Sequence, residues 1–162
     1  MRLPEKKKIL EAVLERLSAT MAAAAESAQR TREGATHAEA KPENDKDTRA
    51  LEQTYLARGQ AMRVEELAEQ IQKLRFLAVT SFGEDDAIDL GALVELESDE
   101  TSRVVFLLPQ GGGTEVKVDG VDVLVVTGSS PLGASLVGKG EGDDVEVVVK
   151  GVRREYVVAQ VR

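Results

Sequence analysis

The 162-residue chain has no cysteine and no tryptophan, and only 3% of its residues are aromatic. Without cysteine there can be no disulfide and no thiolate metal site. Few aromatics beside a charged fraction of 31% suit long solvated helices better than one large core. There is one histidine, His37, without a histidine partner for a metal or a proton relay. It reads as a polar loop residue. No apolar run approaches the roughly 20 residues a membrane span needs. Met1-Arg2-Leu3-Pro4-Glu5-Lys6-Lys7-Lys8 also lacks the apolar centre of a signal peptide. A cytoplasmic protein is the expectation.

The net charge of −8 is unevenly placed. Residues 79–162 hold 16 acids and 7 bases, a net of −9, whereas residues 1–78 hold 13 acids and 14 bases, a net of +1. An acidic C-terminal half argues against independent nucleic-acid binding, which depends on neutralising phosphates. A protein partner with basic surfaces fits better, and solubility alone is the plainer explanation.

From Pro4 to about Arg32 the apolar residues Leu10, Val13, Leu17, Met21, Ala24 and Ala28 recur at steps of three and four, predicting a helix. Pro4 suits a first helical position, and Gly34 weakens the end. A second helix is predicted from about Asp47 to Leu77, with a stripe of Leu51, Tyr55, Met62, Leu67, Ile71 and Leu74. Neither helix can bury its stripe alone. Residues 1–78 therefore read as an antiparallel coiled-coil hairpin of a monomer, the other possibility being helices that pair between chains. The segment from Thr36 to Asp47 is about a dozen residues, against roughly 2–8 in most helix connections, and is rich in carboxylates. It reads as an acidic tip.

After the acidic connector Gly83-Glu84-Asp85-Asp86 the period changes to two. Residues 93–96, 104–108, 121–126, 145–149 and 156–161 read as strands rich in β-branched residues. Gly111-Gly112-Gly113 reads as a hairpin turn, because no Lys-Ser/Thr pair follows it as a phosphate loop requires. Ser130 suits an N-cap, Pro131 the first turn and Gly138 the end of one short helix. The fold class is α+β, with a helical hairpin followed by a β-rich domain over residues 88–162.

Several pieces of that domain come in a specific order: Ile88-Asp89-Leu90-Gly91-Ala92-Leu93, then Ser130-Pro131-Leu132-Gly133, then Ala134-Ser135-Leu136-Val137-Gly138-Lys139, then Gly142-Asp143, then Glu155-Tyr156-Val157-Val158. In these the chain resembles the bacterial Gre transcript-cleavage factors. The N-terminal half matches in layout, and Ala40-Lys41-Pro42-Glu43-Asn44 falls where the family carries Gly-Asp-Leu-Ser-Glu-Asn. Glu43 and Asn44 match, whereas Ala40 stands at the family's acid and Pro42 at its serine.

The resemblance implies an FKBP-like C-terminal domain that binds RNA polymerase near Ser130, Pro131 and Leu132. It also implies a coiled coil that enters the polymerase secondary channel and reaches the nascent RNA only indirectly. The factor is then no enzyme itself. Its tip carboxylates add ligands to a second Mg²⁺ shared with the polymerase, whose own nuclease cleaves backtracked RNA. Hard Mg²⁺ suits such oxygen ligands. Glu43, with Glu39 and Asn44, is the implied catalytic set, and Glu43, Glu39, Asp45 and Asp47 are the implied metal-directed acids. Asp45 and Asp47 equally suit a helix cap, and Glu43 a solvated loop. Ala40 and Pro42 keep open a channel-binding regulator that does not promote cleavage. A coiled-coil scaffold is a third possibility. The FKBP-like fold raises prolyl isomerase activity, but Phe106 and Tyr156 are meagre lining for an aromatic pocket.

Overall fold

A computed structural model describes residues 2–39 and 48–162, without the side chains of 35–39. The chain divides into two compact units, residues 17–72 and residues 1–16 with 73–162.

Helix α1 spans Lys6–Glu39 and helix α2 spans Thr48–Arg75. The Ile9 N–H donates to the Glu5 carbonyl at 3.1 Å, so α1 begins at Lys6, two residues after Pro4, which is buried just outside the helix. It also runs straight through Gly34. A mid-helix glycine costs only about 1 kcal/mol relative to alanine, too little to end a helix that has a partner. That partner is α2. Gln60 Nε2 donates to Ser27 Oγ at 3.0 Å, and Gln53 lies within 3.7 Å of the place a Gly34 Cβ would take. Both pairs fit one antiparallel register.

In the unit of residues 17–72 the buried residues are Leu17 and Ala28 on α1, and Ala50, Ala57, Leu67 and Ile71 on α2. Ala50, Ala57, half-buried Val64 and Ile71 recur every seven residues, the repeat of a left-handed coiled coil. The expected α2 stripe is therefore corrected over its first half. Leu51, Tyr55 and Met62 are 52%, 64% and 54% exposed, and alanines take the seam instead. Small residues let the helix backbones approach closely, which leaves the larger neighbours outside. Gln60 sits in this seam, and its Oε1 has no partner among the described residues.

The other unit holds a mixed six-stranded sheet: β1 Leu93–Glu97, β2 Ser102–Leu107, β3 Glu115–Val118, β4 Val121–Val126, β5 Asp144–Val149 and β6 Val152–Val161, in the order β3-β4-β2-β1-β6-β5. Helix α3, Pro131–Leu136, lies between β4 and β5 in sequence. β2 and β4 are parallel and all other neighbours antiparallel. The segment 111–113 is thus no hairpin turn. β2 skips a place, β3 forms the far edge, and β4 returns into the gap. The loop is tied over the end of β4 by Gly113 N–H to Val125 O and Val125 N–H to Thr114 O, at 2.9 and 2.8 Å. Gly111 and Gly113 take φ of 82° and 86°, which side-chain-bearing residues rarely adopt. β3, absent from the sequence reading, is short and mostly exposed, so its alternation is faint.

One face of the sheet packs with α3 in a core of Ile88, Val94, Leu96, Val105, Leu107, Leu132, Leu136, Val145, Tyr156 and Val158 among others. Alternation sends Leu93, Val104 and Phe106 to the opposite face, where they are also buried. The base of α1 belongs to this unit. Arg162 Nη1 donates to Leu3 O, Lys8 pairs with Asp119 at 3.2 Å, and Lys6 Nζ donates to Thr80 O and Gly91 O at 2.6 and 2.7 Å.

Candidate functional site

The start of α3 is the best-defined candidate surface. Thr127 follows the last residue of β4, and its carbonyl receives both the Ser130 N–H, at 3.0 Å, and the Ser130 hydroxyl, at 2.7 Å. Ser130 Oγ in turn accepts from Gly133 N–H at 3.1 Å. Ser130 is thus the N-cap, with extended backbone, and Pro131 follows at the first turn where its missing N–H costs nothing. Gly133 has a steric reason as well. A Cβ there would lie 1.9 Å from the Thr127 carbonyl oxygen, so only glycine allows α3 to press against the end of β4. Leu132 is 8% exposed and joins the core, whereas Pro131 stays exposed. Of the three expected contact residues, one presents its ring to solvent, one caps the helix and one holds it down.

The expected tip residues are placed differently. Glu39 is the last residue of α1. Glu43, Asn44, Asp45 and Asp47 lie outside the described residues, as do Ala40 and Pro42 and the side chain of Glu39. Among the described residues no group of three or more His, Asp or Glu side chains could hold a metal ion.

Two features escaped the sequence reading. Lys6 looks like one of three solvated lysines, yet its Nζ holds two carbonyls and stands 4.6 Å from the Phe82 ring centre. Desolvation, with the Arg162 guanidinium adding to it, pushes Lys6 down to about 8. Nothing in Lys6-Lys7-Lys8 marks the first lysine, and the faint signal is Phe82 alone in an acidic connector. Glu95 is buried at 3% exposure and accepts from Ser102 Oγ at 3.1 Å. Its place between Val94 and Leu96 was a sign that it faces away from them. The expected aromatic pair also separates: Tyr156 joins the α3 side of the sheet and Phe106 the other, which weakens the case for an isomerase pocket further.

No protein-family model matches the chain. The curated transcription elongation factor GreA of Thioalkalivibrio sulfidiphilus (strain HL-EbGR7) is 26% identical over 101 residues, 62% of this chain and 61% of GreA. The resemblance is to the Gre family. The match spans about three fifths of that relative's length. Solved structures similar to the Gre-like chain include GreA factor homolog 1 (Gfh1) of Thermus thermophilus, with 20% identity, a TM-score of 0.39, and 93% of this chain and 95% of that one covered. Gfh1 of Thermus aquaticus has 21% identity and a TM-score of 0.40, with 93% and 94% covered. The GreA/GreB factor of Nitrosomonas europaea has 14% identity and a TM-score of 0.37, with 67% and 88% covered. Among the described residues no helix is long and apolar enough to cross a membrane.

Proposed function

We propose that this chain is a Gre-type transcription factor. It binds RNA polymerase through the sheet unit, presents its helical hairpin to the secondary channel, and stimulates the polymerase to cleave backtracked RNA. One observation carries this reading: a single chain joins a heptad-paired antiparallel hairpin, closed by an acid-rich connection, to a sheet unit with a capped Ser130-Pro131-Leu132-Gly133 helix start. The similarity to GreA supports it. The protein is then no nuclease. Glu43 and Glu39 would add carboxylate oxygens to a Mg²⁺ ion shared with the polymerase active site, and Asn44 would hydrogen-bond water or phosphate. Such a factor works as a monomer in the cytoplasm, where its polymerase is.

The test adds purified protein to stalled, backtracked polymerase with Mg²⁺ and follows RNA length. Shortened RNA is expected, and tight binding without shortening removes the cleavage reading. A second reading has its own observation, Ala40 and Pro42 at the family's acid and serine. In that case the same body occupies the channel and modulates the polymerase without cleavage. Introducing Ala40→Asp with Pro42→Ser then creates cleavage activity, and a binding-competent but inert double variant defeats that explanation.

A further inference from the structure

Beside the start of α3 the sheet unit carries a groove of about 670 Å³. Pro131 and Leu132 reach it from α3, Val147, Val149 and Val152 from the β5–β6 hairpin, and Tyr156 is its one aromatic lining residue. The register sets Val149 opposite Val152 and Val147 opposite Arg154, so these side chains share one face. Val149 and Val152 are 41% and 54% exposed, large apolar groups with no cover at the hairpin end. β5 is also an edge strand, with one row of backbone donors and acceptors left unpaired by the sheet.

The charge of the groove is opposite to that of the chain. Arg103, Lys150 and Arg154 line it, and among the described residues no aspartate or glutamate does. None of the three makes an ion pair among the described residues. In a chain of net charge −8 this is a local inversion. Lys150 also occupies a backbone position that lysine does not favour. Lys150 and Gly151 have φ of 51° and 79°, the two positive values of a type I′ turn. The equivalent turn between β3 and β4 uses Asp119-Gly120 at 49° and 82°, the residue type such turns prefer. A lysine kept at a strained position, on the rim of an apolar groove, points to a use for its charge.

We propose that this groove docks an extended acidic polypeptide segment. One apolar side chain of the segment seats against Pro131, Val149, Val152 and Tyr156, and flanking carboxylates meet Arg103, Lys150 and Arg154. The inference rests on the reading that the α3 start faces a protein partner, and adds the chemistry of that partner. Nucleic acid also seeks cations, but the acidic sheet unit repels its phosphates, and an apolar, largely aliphatic groove suits a side chain better than a stack of bases.

The test uses the full chain and fluorescence anisotropy. The probe is a short fluorescein-labelled peptide of glutamates around a central leucine-phenylalanine pair. The controls are the same peptide with lysines for glutamates and an oligothymidine of similar length. The acidic peptide is expected to bind saturably, more weakly as salt rises, and ahead of both controls. Lys150→Asn with Arg154→Gln is expected to weaken it about tenfold. Asparagine suits the turn, so the thermal melt of this variant is expected to stay at or above that of the parent. Val149→Glu, at an exposed position, is expected to weaken binding as well. The proposal is overturned by an absence of saturable binding, equal binding of the two peptides, a preference for the oligonucleotide, or unchanged affinity in the double variant. Retention of purified RNA polymerase is measured in parallel. Polymerase held equally by parent and double variant keeps the polymerase reading and removes this one. Charge-dependent peptide binding with no polymerase retained does the reverse.

Discussion

The two units bury their chains by different means. In the sheet unit Phe106, Leu93, Leu96, Leu107, Leu108 and Leu136 are almost wholly enclosed, and one glycine lets α3 lie against β4 with no atom to spare. In the unit of residues 17–72 the seam narrows to Ala28, Ala50 and Ala57, while Leu51, Tyr55 and Met62 face outward. A core of large interlocked side chains is specified by shape on every side, so small changes of volume are felt. An alanine seam is specified by closeness of approach and repeat length. It tolerates loss of what lies outside and resists growth of what lies inside.

That contrast breaks most sharply at Gly133. Gly133→Ala puts a methyl 1.9 Å from the Thr127 carbonyl oxygen, and backbone has to move. A loss of about 3 kcal/mol or more is expected, read as a lower urea midpoint. A variant that unfolds at the parental midpoint means the close approach is wrong. In the helical unit the matching experiment grows the seam. Ala57→Leu, at a site 7% exposed, is expected to cost about 2 kcal/mol by forcing the helices apart. Leu51→Ala, 52% exposed, is expected to change stability by less than about 0.5 kcal/mol. The reverse order restores the stripe of larger residues as the true seam.

This pair of substitutions also shows where the sequence was legible. Five of the six strands and α3 were readable because alternation, Ser130, Pro131 and Gly138 all speak locally. The base of the hairpin was readable because Leu17, Leu67, Ile71 and Leu74 are both large and periodic. The seam farther along was not, because hydrophobic size outranked alanine although Ala50, Ala57, Val64 and Ile71 keep the stricter repeat. The crossing of 108–114 over β4 was hidden because strand order is a long-range property that a run of glycines cannot reveal. Of the candidate site, Ser130 and Pro131 were legible as a cap, whereas the groove was not. Lys150 and Arg154 are neighbours in the β5–β6 hairpin, but Arg103 reaches the same groove from β2, far away in sequence. The acids from Glu43 to Asp47 remain a reading of sequence.

Smaller effects separate local from long-range support. Ser130→Ala removes the acceptor of the Gly133 N–H and one donor to the Thr127 carbonyl, and is expected to cost about 1 kcal/mol in the same urea titration. Ser130→Asp keeps an acceptor and is expected to recover part of it. If both substitutions leave the midpoint alone, the helix start is held by Leu132 and Gly133 without the cap.

Lys6 gives the smallest effect and a distinctive one. Its side chain is half-buried, and it holds Thr80 and Gly91 by their carbonyls. Those bonds and the Phe82 ring favour the ammonium, but desolvation and then Arg162 outweigh them and bring Lys6 from 10.5 to about 8. Between those values the unfolded chain holds a proton that the folded chain has released. Raising the pH therefore favours the folded state through this group, from about pH 8 upward, and below that its contribution is flat. Half-exposure to solvent trims the size of the effect to less than that of Ser130→Ala. The quantity to read is the difference between parent and Lys6→Met, measured by urea unfolding at several pH values from 7 to 10. The parent is expected to gain on the variant as pH rises. Parallel curves, or a parent that loses ground, mean that the carbonyls and the ring hold Lys6 charged and that burial is not the dominant influence on it.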